Sequence, residues 1–156
     1  MPPTKLMIVL GERQWTMQAL HLACAMARRQ DVTLILVKMV PVVHPQMLGT
    51  ASGNLHFTLQ DEQELQEYAS TAEDYGVSFE LTVCQYASFI HAVVDVAEQL
   101  AITAVFAAIP HSHIPFWVPI NRWWLRLQLN WHNRHLYTLE PSGGDLEWTP
   151  AILYHK

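Results

Sequence analysis

Nine histidines are the side chains of this 156-residue chain best suited to metal binding or proton transfer. Two pairs have the spacing of metal ligands, His111 with His113 and His132 with His135. A helix predicted between the pairs would hold them about 20 Å apart, because roughly twelve residues each add about 1.5 Å. A single pair supplies two ligands, whereas zinc sites use three or four. We therefore expect no metal site and assign these histidines to loops and helix ends.

Serine and acidic side chains do not form a recognisable catalytic set. Ser112 lies between His111 and His113, but neighbours in sequence do not have the geometry of a nucleophile and its base. No third group is indicated that would orient them. A phosphoacceptor site of the receiver type needs acidic residues after the first strand, where Glu12 alone could serve. We expect a protein without catalytic activity.

The composition is that of a single domain that can form a hydrophobic core without disulfides or a structural metal. Hydrophobic residues make up 51% of the chain and charged residues 15%. The length falls within the roughly 100–200 residues of a single domain. The two cysteines, Cys24 and Cys84, are too few for a disulfide scaffold and fit no metal spacing, which favours a reducing compartment. We therefore expect a cytoplasmic protein.

Charge and hydropathy argue against nucleic acid as a partner and against a membrane span. The net charge is −5, and much of the acid excess lies in residues 61–74, so no basic surface for nucleic acid is indicated. The longest uncharged run, residues 99–121, is interrupted by Pro110, Pro115 and Pro119. Its apolar part is about ten residues long, and a span needs about 20. The run fits a buried strand followed by a loop.

Short apolar runs alternate with amphipathic helical patterns along the chain. Thr16 is a suitable N-cap for the first helix, and Gly76 is a suitable C-cap for the second. The third strand alternates apolar and polar residues, as strands with one wet face do, whereas the first and fourth are apolar throughout. The predicted strands are residues 5–10, 32–37, 77–83, 102–109 and 136–139, and the predicted helices begin near Thr16, Gln60, Ser88 and Ile120.

This alternation predicts an α/β protein with a three-layer, Rossmann-like architecture. A five-stranded, parallel, doubly wound sheet in the order 3-2-1-4-5 places the alternating third strand at an edge and the two apolar strands at the centre. A ligand would then bind at the switch point, where the carboxyl ends of strands one and four meet. The candidate ligand-binding residues there are Gly11, Glu12, Val40, Pro110, His111, Ser112 and His113.

Tryptophan is concentrated in the fourth helical segment, where four fall within fifteen residues. One apolar stripe at helical spacing is expected to cover the sheet, with Arg122 and Arg126 on the solvated face. A second interpretation is an exposed aromatic patch that binds a partner or borders a pocket. The stripe expected in the core is Trp123, Trp124, Leu127 and Trp131, and the patch of the second interpretation is Leu125 and Leu129 with Phe116 and Trp117.

Four short motifs accompany these elements in a distinctive order. They are Thr16-x2-Ala19-Leu20-x2-Ala23 in the first helix, Val32-Thr-Leu-Ile-Leu-Val-x2-Val40-Pro41 as the second strand, Ala69-x2-Ala72-x2-Tyr75-Gly76-Val77 before the third strand, and Ile90-x3-Val94-x2-Ala97 before the fourth. Together with the opening strand, they resemble the universal stress protein family over roughly positions 4–140. The resemblance implies the same fold as the periodicity does.

Members of that family that bind ATP carry an Asp at the end of the first strand and a glycine loop, G-x2-G-x9-G-[ST], after the fourth. This chain has Gly11 at the Asp position, and residues 107–140 contain no glycine. Three prolines, Pro110, Pro115 and Pro119, remove N–H donors that a phosphate cradle needs. We therefore expect no cofactor, and ATP or AMP only through contacts unlike those of the family.

These observations predict a regulatory or partner-binding module in residues 1–140 that resembles universal stress proteins and has no catalytic activity. Resembling proteins commonly dimerise through their fifth strands. A C-terminal tail, residues 141–156, has apolar and β-favouring residues that could pack at such an interface. We expect a homodimer with an unidentified protein partner. The alternative is a small-molecule or nucleotide sensor that uses the switch-point pocket.

Overall fold

Strands and helices alternate along the chain as the sequence predicts. The computed structural model describes residues 4–42, 58–108, 117–131, 134–137, 139–142 and 147–150. The main elements are β1 (Lys5–Val9), α1 (Arg13–Gln30), β2 (Thr33–Pro41), α2 (Leu59–Asp74), β3 (Phe79–Tyr86), α3 (Phe89–Gln99), β4 (Ile102–Phe106), α4 (Trp117–Trp131) and β5 (His135–Tyr137).

Five parallel strands form one sheet in the order β3-β2-β1-β4-β5, which confirms the predicted topology. β1 and β4 are central, and their side chains are almost all buried because helices cover both faces. β3 lies at an edge, as its alternating pattern indicated. Leu81, which that pattern places on the buried face, is nevertheless 46% exposed, because an edge strand is covered less completely than a central one. The switch in strand order falls between β1 and β4.

The sheet separates two layers of helices, each with its own core. α1 and α2 cover one face, where Leu6, Ile8 and Phe106 point from the strands into the core. α3 and α4 cover the other face, where Met7 and Val105 do the same. Neighbouring residues of a strand point to opposite faces, so β1 contributes alternately to both cores. The result is the predicted three-layer architecture.

The first helix begins earlier than predicted. Its N-cap is Glu12, whose carboxylate accepts hydrogen bonds from the backbone N–H groups of Gln14 and Trp15. Thr16, predicted as the cap, is instead buried within the first turn. There its hydroxyl oxygen accepts from the Gly11 N–H at 3.0 Å. The prediction was wrong because a glutamate can reach the same donors that a shorter cap residue satisfies.

Other helix ends agree with the sequence. Thr58 and Asp61 form a capping box at the start of α2, each side chain accepting from the other residue's backbone N–H. Gly76 follows α2 with φ 69°, the left-handed conformation that glycine adopts without strain. Two residues with side chains share that conformation, Asp31 after α1 and Ala101 before β4, with φ of 53° and 54°.

α4 presents the opposite face to the one expected. Leu125 and Leu129 are fully buried, in a core that includes Val93, Ala97 and Val105. These small and β-branched neighbours bring the helix close to the sheet, and the space suits leucine better than indole rings whose N–H needs a partner. Both interpretations of the helix were therefore wrong about its buried face. The exposed large apolar side chains are Ile120 at 52%, Trp123 at 60%, Trp124 at 44%, Leu127 at 38% and Trp131 at 84%.

The arginines of α4 also differ from the prediction. Arg122 and Arg126 are half-buried and do not lie on a fully solvated face. Burial, with the like charge of Arg126 nearby, lowers the pKa of the Arg122 guanidinium from its usual value. Phe116 and the side chain of Trp117 lie outside the described residues.

A second, smaller sheet follows β5. β6 (Leu139–Ser142) and β7 (Glu147–Pro150) pair antiparallel to each other and join no strand of the main sheet. β6 spans the position at which the sequence divides the domain, residues 1–140, from the tail, residues 141–156. A two-stranded hairpin is marginal by itself in water.

Candidate functional site

The candidate site lies at the carboxyl edge of the sheet, where β1 and β4 end side by side. β1 runs into Leu10, whose N–H donates to the Val37 carbonyl of β2 at 2.9 Å. β4 runs into Ala107, whose N–H donates to the Tyr137 carbonyl of β5 at 3.2 Å. These hydrogen bonds to β2 and β5 therefore fix the positions at which the chain leaves β1 and β4.

Gly11 and Glu12, two predicted site residues, form the turn from β1 into α1. The Glu12 carboxylate accepts from the Gln14 N–H at 3.0 Å and from the Trp15 N–H at 3.3 Å. An anion at a helix N-terminus is favoured by the helix dipole. Here the protein's own carboxylate takes that position. The turn is therefore a negatively charged corner in which the first donors of α1 are already used.

Trp15 is the residue of this corner that the sequence did not single out. Its side chain is 5% exposed and packs within the core between the sheet and the α1–α2 layer. A Cβ added at Gly11 would stand 3.8 Å from Trp15 Cε3, which is ordinary contact. The indole thus lies beside Gly11, yet leaves room there for a small side chain. Its position in the first helical turn, three residues after the cap Glu12, is the signal that would have found it.

Val40 lies at the same carboxyl edge of the sheet, but further along its strand than the last residue that pairs with β1. β2 continues past its last pair with β1, Val9 with Val37, and stays paired with β3 up to Pro41 and Tyr86. Val40 pairs with Gln85 in this extension. Three residues of strand add about 10 Å, so Val40 stands beyond the last β1–β2 pair, in a part of β2 that pairs with β3.

The other four predicted site residues, Pro110, His111, Ser112 and His113, lie outside the described residues. The structure thus brings Gly11 and Glu12 together and adds the extension of β2 that carries Val40. It does not test the loop that follows β4.

Three titratable side chains are removed from water by burial, partly for Cys84 and Tyr86 near the end of β3 and fully for Cys24 in α1. Burial raises the pKa of Cys84, and the nearby carboxylate of Asp95 adds to the effect. Burial likewise raises the pKa of Tyr86, whose ring makes an edge-to-face contact with Phe89. Cys24 of α1 is fully buried, and its pKa is raised to about 11. Thiols with raised pKa values are poor nucleophiles at neutral pH.

Charged pairs fasten the α2 helix to the rest of the molecule below this edge. Arg13 donates hydrogen bonds from Nε and Nη2 to both oxygens of the Glu67 carboxylate, and Lys38 forms an ion pair with Asp61 at 3.2 Å. His21 Nδ1 lies 2.9 Å from the Tyr75 hydroxyl. These contacts join residues more than twenty positions apart, so a sequence alone gives no signal for them. They hold α2 against α1 and β2.

Metal ligands do not gather in the part of the chain described. Among those residues, no group of three or more His, Cys, Asp or Glu side chains is placed to hold a metal ion. His111, His113 and His132 lie outside that part, so the expectation about them stays a prediction. Nor is any helix within the described ranges long and apolar enough to cross a bilayer.

Comparison with solved structures finds universal stress proteins. One from Burkholderia pseudomallei superposes with a TM-score of 0.61 at 12% identity, over 86% of this chain and 94% of its own. A universal stress protein in complex with cAMP has a TM-score of 0.57 at 14% identity, over 89% and 98%. One from Archaeoglobus fulgidus in complex with dAMP has a TM-score of 0.54 at 15% identity, over 90% and 100%.

No protein family model and no curated protein matches the chain. The agreement with solved structures covers most of this chain and nearly the full length of each neighbour. The resemblance predicted from the motifs is therefore confirmed at the level of architecture. This chain has the fold of the universal stress proteins.

Proposed function

We propose that this protein is a regulatory or partner-binding module of the universal stress protein type, without catalytic activity and without ATP binding in the family's manner. The observation that carries the proposal is the Glu12 carboxylate on the N-terminus of α1. It places negative charge beside the switch point, and a nucleotide phosphate would be repelled from that corner. Trp15 occupies the space beneath the turn.

The sequence after β4 supports the same proposal. Residues 107–140 contain no glycine, and three prolines replace backbone N–H donors in the segment where ATP-binding members have a glycine loop. A phosphate held there would have few backbone donors. Both the helix end already occupied by Glu12 and the proline-rich, glycine-free sequence after β4 oppose binding of a triphosphate.

Thermal unfolding in the presence of ATP, ADP and AMP tests this part of the proposal. We expect no shift at millimolar nucleotide, because a ligand at about 100 times its dissociation constant would stabilise the folded state by about 2.7 kcal/mol. A nucleotide-binding universal stress protein is the positive control. A Gly11→Asp variant restores the acidic residue of ATP-binding members and should still show no shift. A shift in the native chain would contradict the proposal.

A nucleotide or small-molecule sensor is the second candidate. It is supported by the neighbours whose structures contain cAMP and dAMP and share this fold. The extension of β2 that pairs with β3 would offer such a ligand a surface next to the switch point. Calorimetric titration with cAMP and AMP distinguishes the two candidates. Saturable binding that Glu12→Gln alters would favour the sensor.

We further propose a cytoplasmic homodimer that forms through β5 and the C-terminal tail. β5 is an edge strand of three residues, and the β6–β7 hairpin that follows pairs with no other strand in the part of the chain described. Edge strands with unpaired backbone groups favour association. Sedimentation of the full chain and of a chain ending at Tyr137, checked for folding by circular dichroism, tests this. Two monomers, or two equally stable dimers, would contradict a tail-dependent interface.

A further inference from the structure

The outer face of α4 carries an unbroken apolar stripe. Its five members recur at helical spacing over almost the whole length of the helix, and each is at least 38% exposed. Leu125 and Leu129 fix the opposite face of the helix to the sheet, so the stripe is a rigid, convex ridge. The five residues of this exposed stripe are Ile120, Trp123, Trp124, Leu127 and Trp131.

Three of the five side chains in the stripe are indoles. Trp123 and Trp124 lie with ring centroids 6.2 Å apart, and Trp131 is the most exposed at 84%. An indole combines a large apolar body with one N–H donor, which suits the boundary between lipid chains and headgroups better than bulk water or a dry core. Neutral amides, Asn121 and Gln128, are neighbouring residues of the same helix. This is the composition of a helix that lies in a membrane interface.

Charge is distributed so that this side of the protein could approach an anionic surface. The charged residues of α4 are Arg122 and Arg126, and the acids of α3 are Asp95 and Glu98, so the two helices together are balanced. α2 carries six acids and no basic residue, and it covers the opposite face of the sheet. Anionic headgroups would repel α2 and leave α4 as the side of closest approach.

The size of the stripe argues against a stable second copy as its cover. With each indole contributing about 150–250 Å² when fully exposed, the stripe offers on the order of 600 Å². A standard protein interface buries about 800 Å² from each partner. A convex ridge also provides no groove to receive a partner's helix. Insertion into a lipid interface needs neither a larger area nor a complementary shape.

We propose that α4 docks this protein on the surface of a phospholipid bilayer that contains anionic lipid, with the stripe immersed at the level of the headgroups. Arg126 stands at the flank of the stripe, where its long side chain can extend toward lipid phosphates, whereas Arg122 lies on the side of the buried leucines. Docking through α4 would give the protein a place of action whether or not a nucleotide binds.

Co-flotation with vesicles tests the proposal. The full-length protein is mixed with vesicles of equal parts phosphatidylcholine and phosphatidylglycerol, and the bound fraction and tryptophan emission are measured. We expect binding, a blue shift of the emission, and quenching by nitroxides on the lipid chains. A double variant, Trp123→Gln with Trp131→Gln, should lose roughly tenfold or more of its partitioning. Salt and pure phosphatidylcholine should each weaken binding by the native protein.

Leu59→Gln is the matched control, because Leu59 is 71% exposed and lies on α2, across the sheet. It should bind vesicles like the native protein, and thermal unfolding should show all three proteins folded. The native protein failing to float, or all three floating equally, would overturn the proposal. So would a dimer that forms without lipid and is lost in the double variant, because the stripe would then cover a second copy. Quenching of the native protein reports immersion even where a variant fails to fold.

Discussion

The two helical layers of this protein both bury apolar residues against the sheet, but their outer surfaces differ. The α1–α2 layer is sealed by polar contacts: Glu12 caps α1, Thr58 and Asp61 cap α2, and Arg13 pairs with Glu67. The α3–α4 layer buries its leucines equally well but leaves an aromatic ridge outside. Each layer has its own buried core, and the exposed residues of the ridge lie outside it. The ridge should therefore contribute much less to stability than the buried leucines of the same helix.

The largest expected effect tests which face of α4 is the core. Leu129→Ala should lower the free energy of unfolding by about 2–5 kcal/mol, because it leaves a cavity in a fully buried site. Trp131→Ala removes a larger side chain that is 84% exposed, and should change it by at most about 0.5 kcal/mol. Urea denaturation measures both. Equal costs would mean that the two faces of α4 are not distinct.

The next effect concerns a buried hydrogen bond of the α1–α2 layer, from the Gly11 N–H to the Thr16 hydroxyl. Thr16→Val keeps the shape of a buried side chain but removes the acceptor of the Gly11 N–H. We expect a loss of about 1–3 kcal/mol in the free energy of unfolding, the cost of a donor left without its partner. Thr16→Ser retains the hydroxyl and should lose less. If valine is tolerated as well as serine, this hydrogen bond does not stabilise the corner.

A smaller effect is expected at the start of α2. Thr58→Ala removes the acceptor of the Asp61 N–H and should lower the free energy of unfolding by about 1 kcal/mol. Thr58→Ser is the matched control and should preserve most of it. Chemical denaturation at neutral pH measures the difference, and an alanine variant as stable as the serine variant would refute the cap's contribution.

Acid should reveal the other half of that capping box. Hydrogen bonds from Thr58, together with Lys38, hold the pKa of Asp61 below its ordinary value of 3.8. A depressed pKa stabilises the folded state above pH 3.8, and this contribution is lost as the pH falls through the lower folded value. Asp61→Asn should therefore be less stable than the native protein at neutral pH and converge with it in strong acid. If the free energies of unfolding of the native protein and of Asp61→Asn change in parallel with pH, this expectation is contradicted.

The smallest effect is expected at the exposed ion pair. Glu67→Gln removes the partner of Arg13, whose side chain is 54% exposed, and water screens such a pair. The melting temperature should shift little at low salt and not at all at high salt. A large, salt-resistant loss would show that the α1–α2 layer depends on this pair, and the two layers would then differ in strength as well as in surface.

Much of the fold could be predicted because its signals are local. The alternation of β3 and the apolar runs of β1 and β4 indicated the strand order, and Gly76 marked the end of α2. The first helix was placed late because Thr16 and Glu12 both offer a side-chain oxygen near its start. The sequence does not tell which of two possible cap residues, four positions apart, will begin the helix.

The orientation of α4 could not be predicted for a different reason. Its sequence contains two apolar stripes, and the heavier one was expected inside. Which stripe is buried depends on the space left by Val93, Ala97 and Val105, residues far away in the chain. Small neighbours favoured Leu125 and Leu129 over the indoles. For the candidate site, Gly11 and Glu12 followed from the topology, whereas Trp15 needed the tertiary packing to be recognised.

Ala101, at the turn into β4, has a consequence for how much change this protein tolerates. Its φ of 54° costs a residue with a Cβ about 1–2 kcal/mol, and glycine would relieve most of that strain while adding some freedom to the unfolded chain. The native sequence is therefore not at its thermodynamic optimum. Ala101→Gly offers a more robust background in which damaging substitutions elsewhere can be studied in a folded protein.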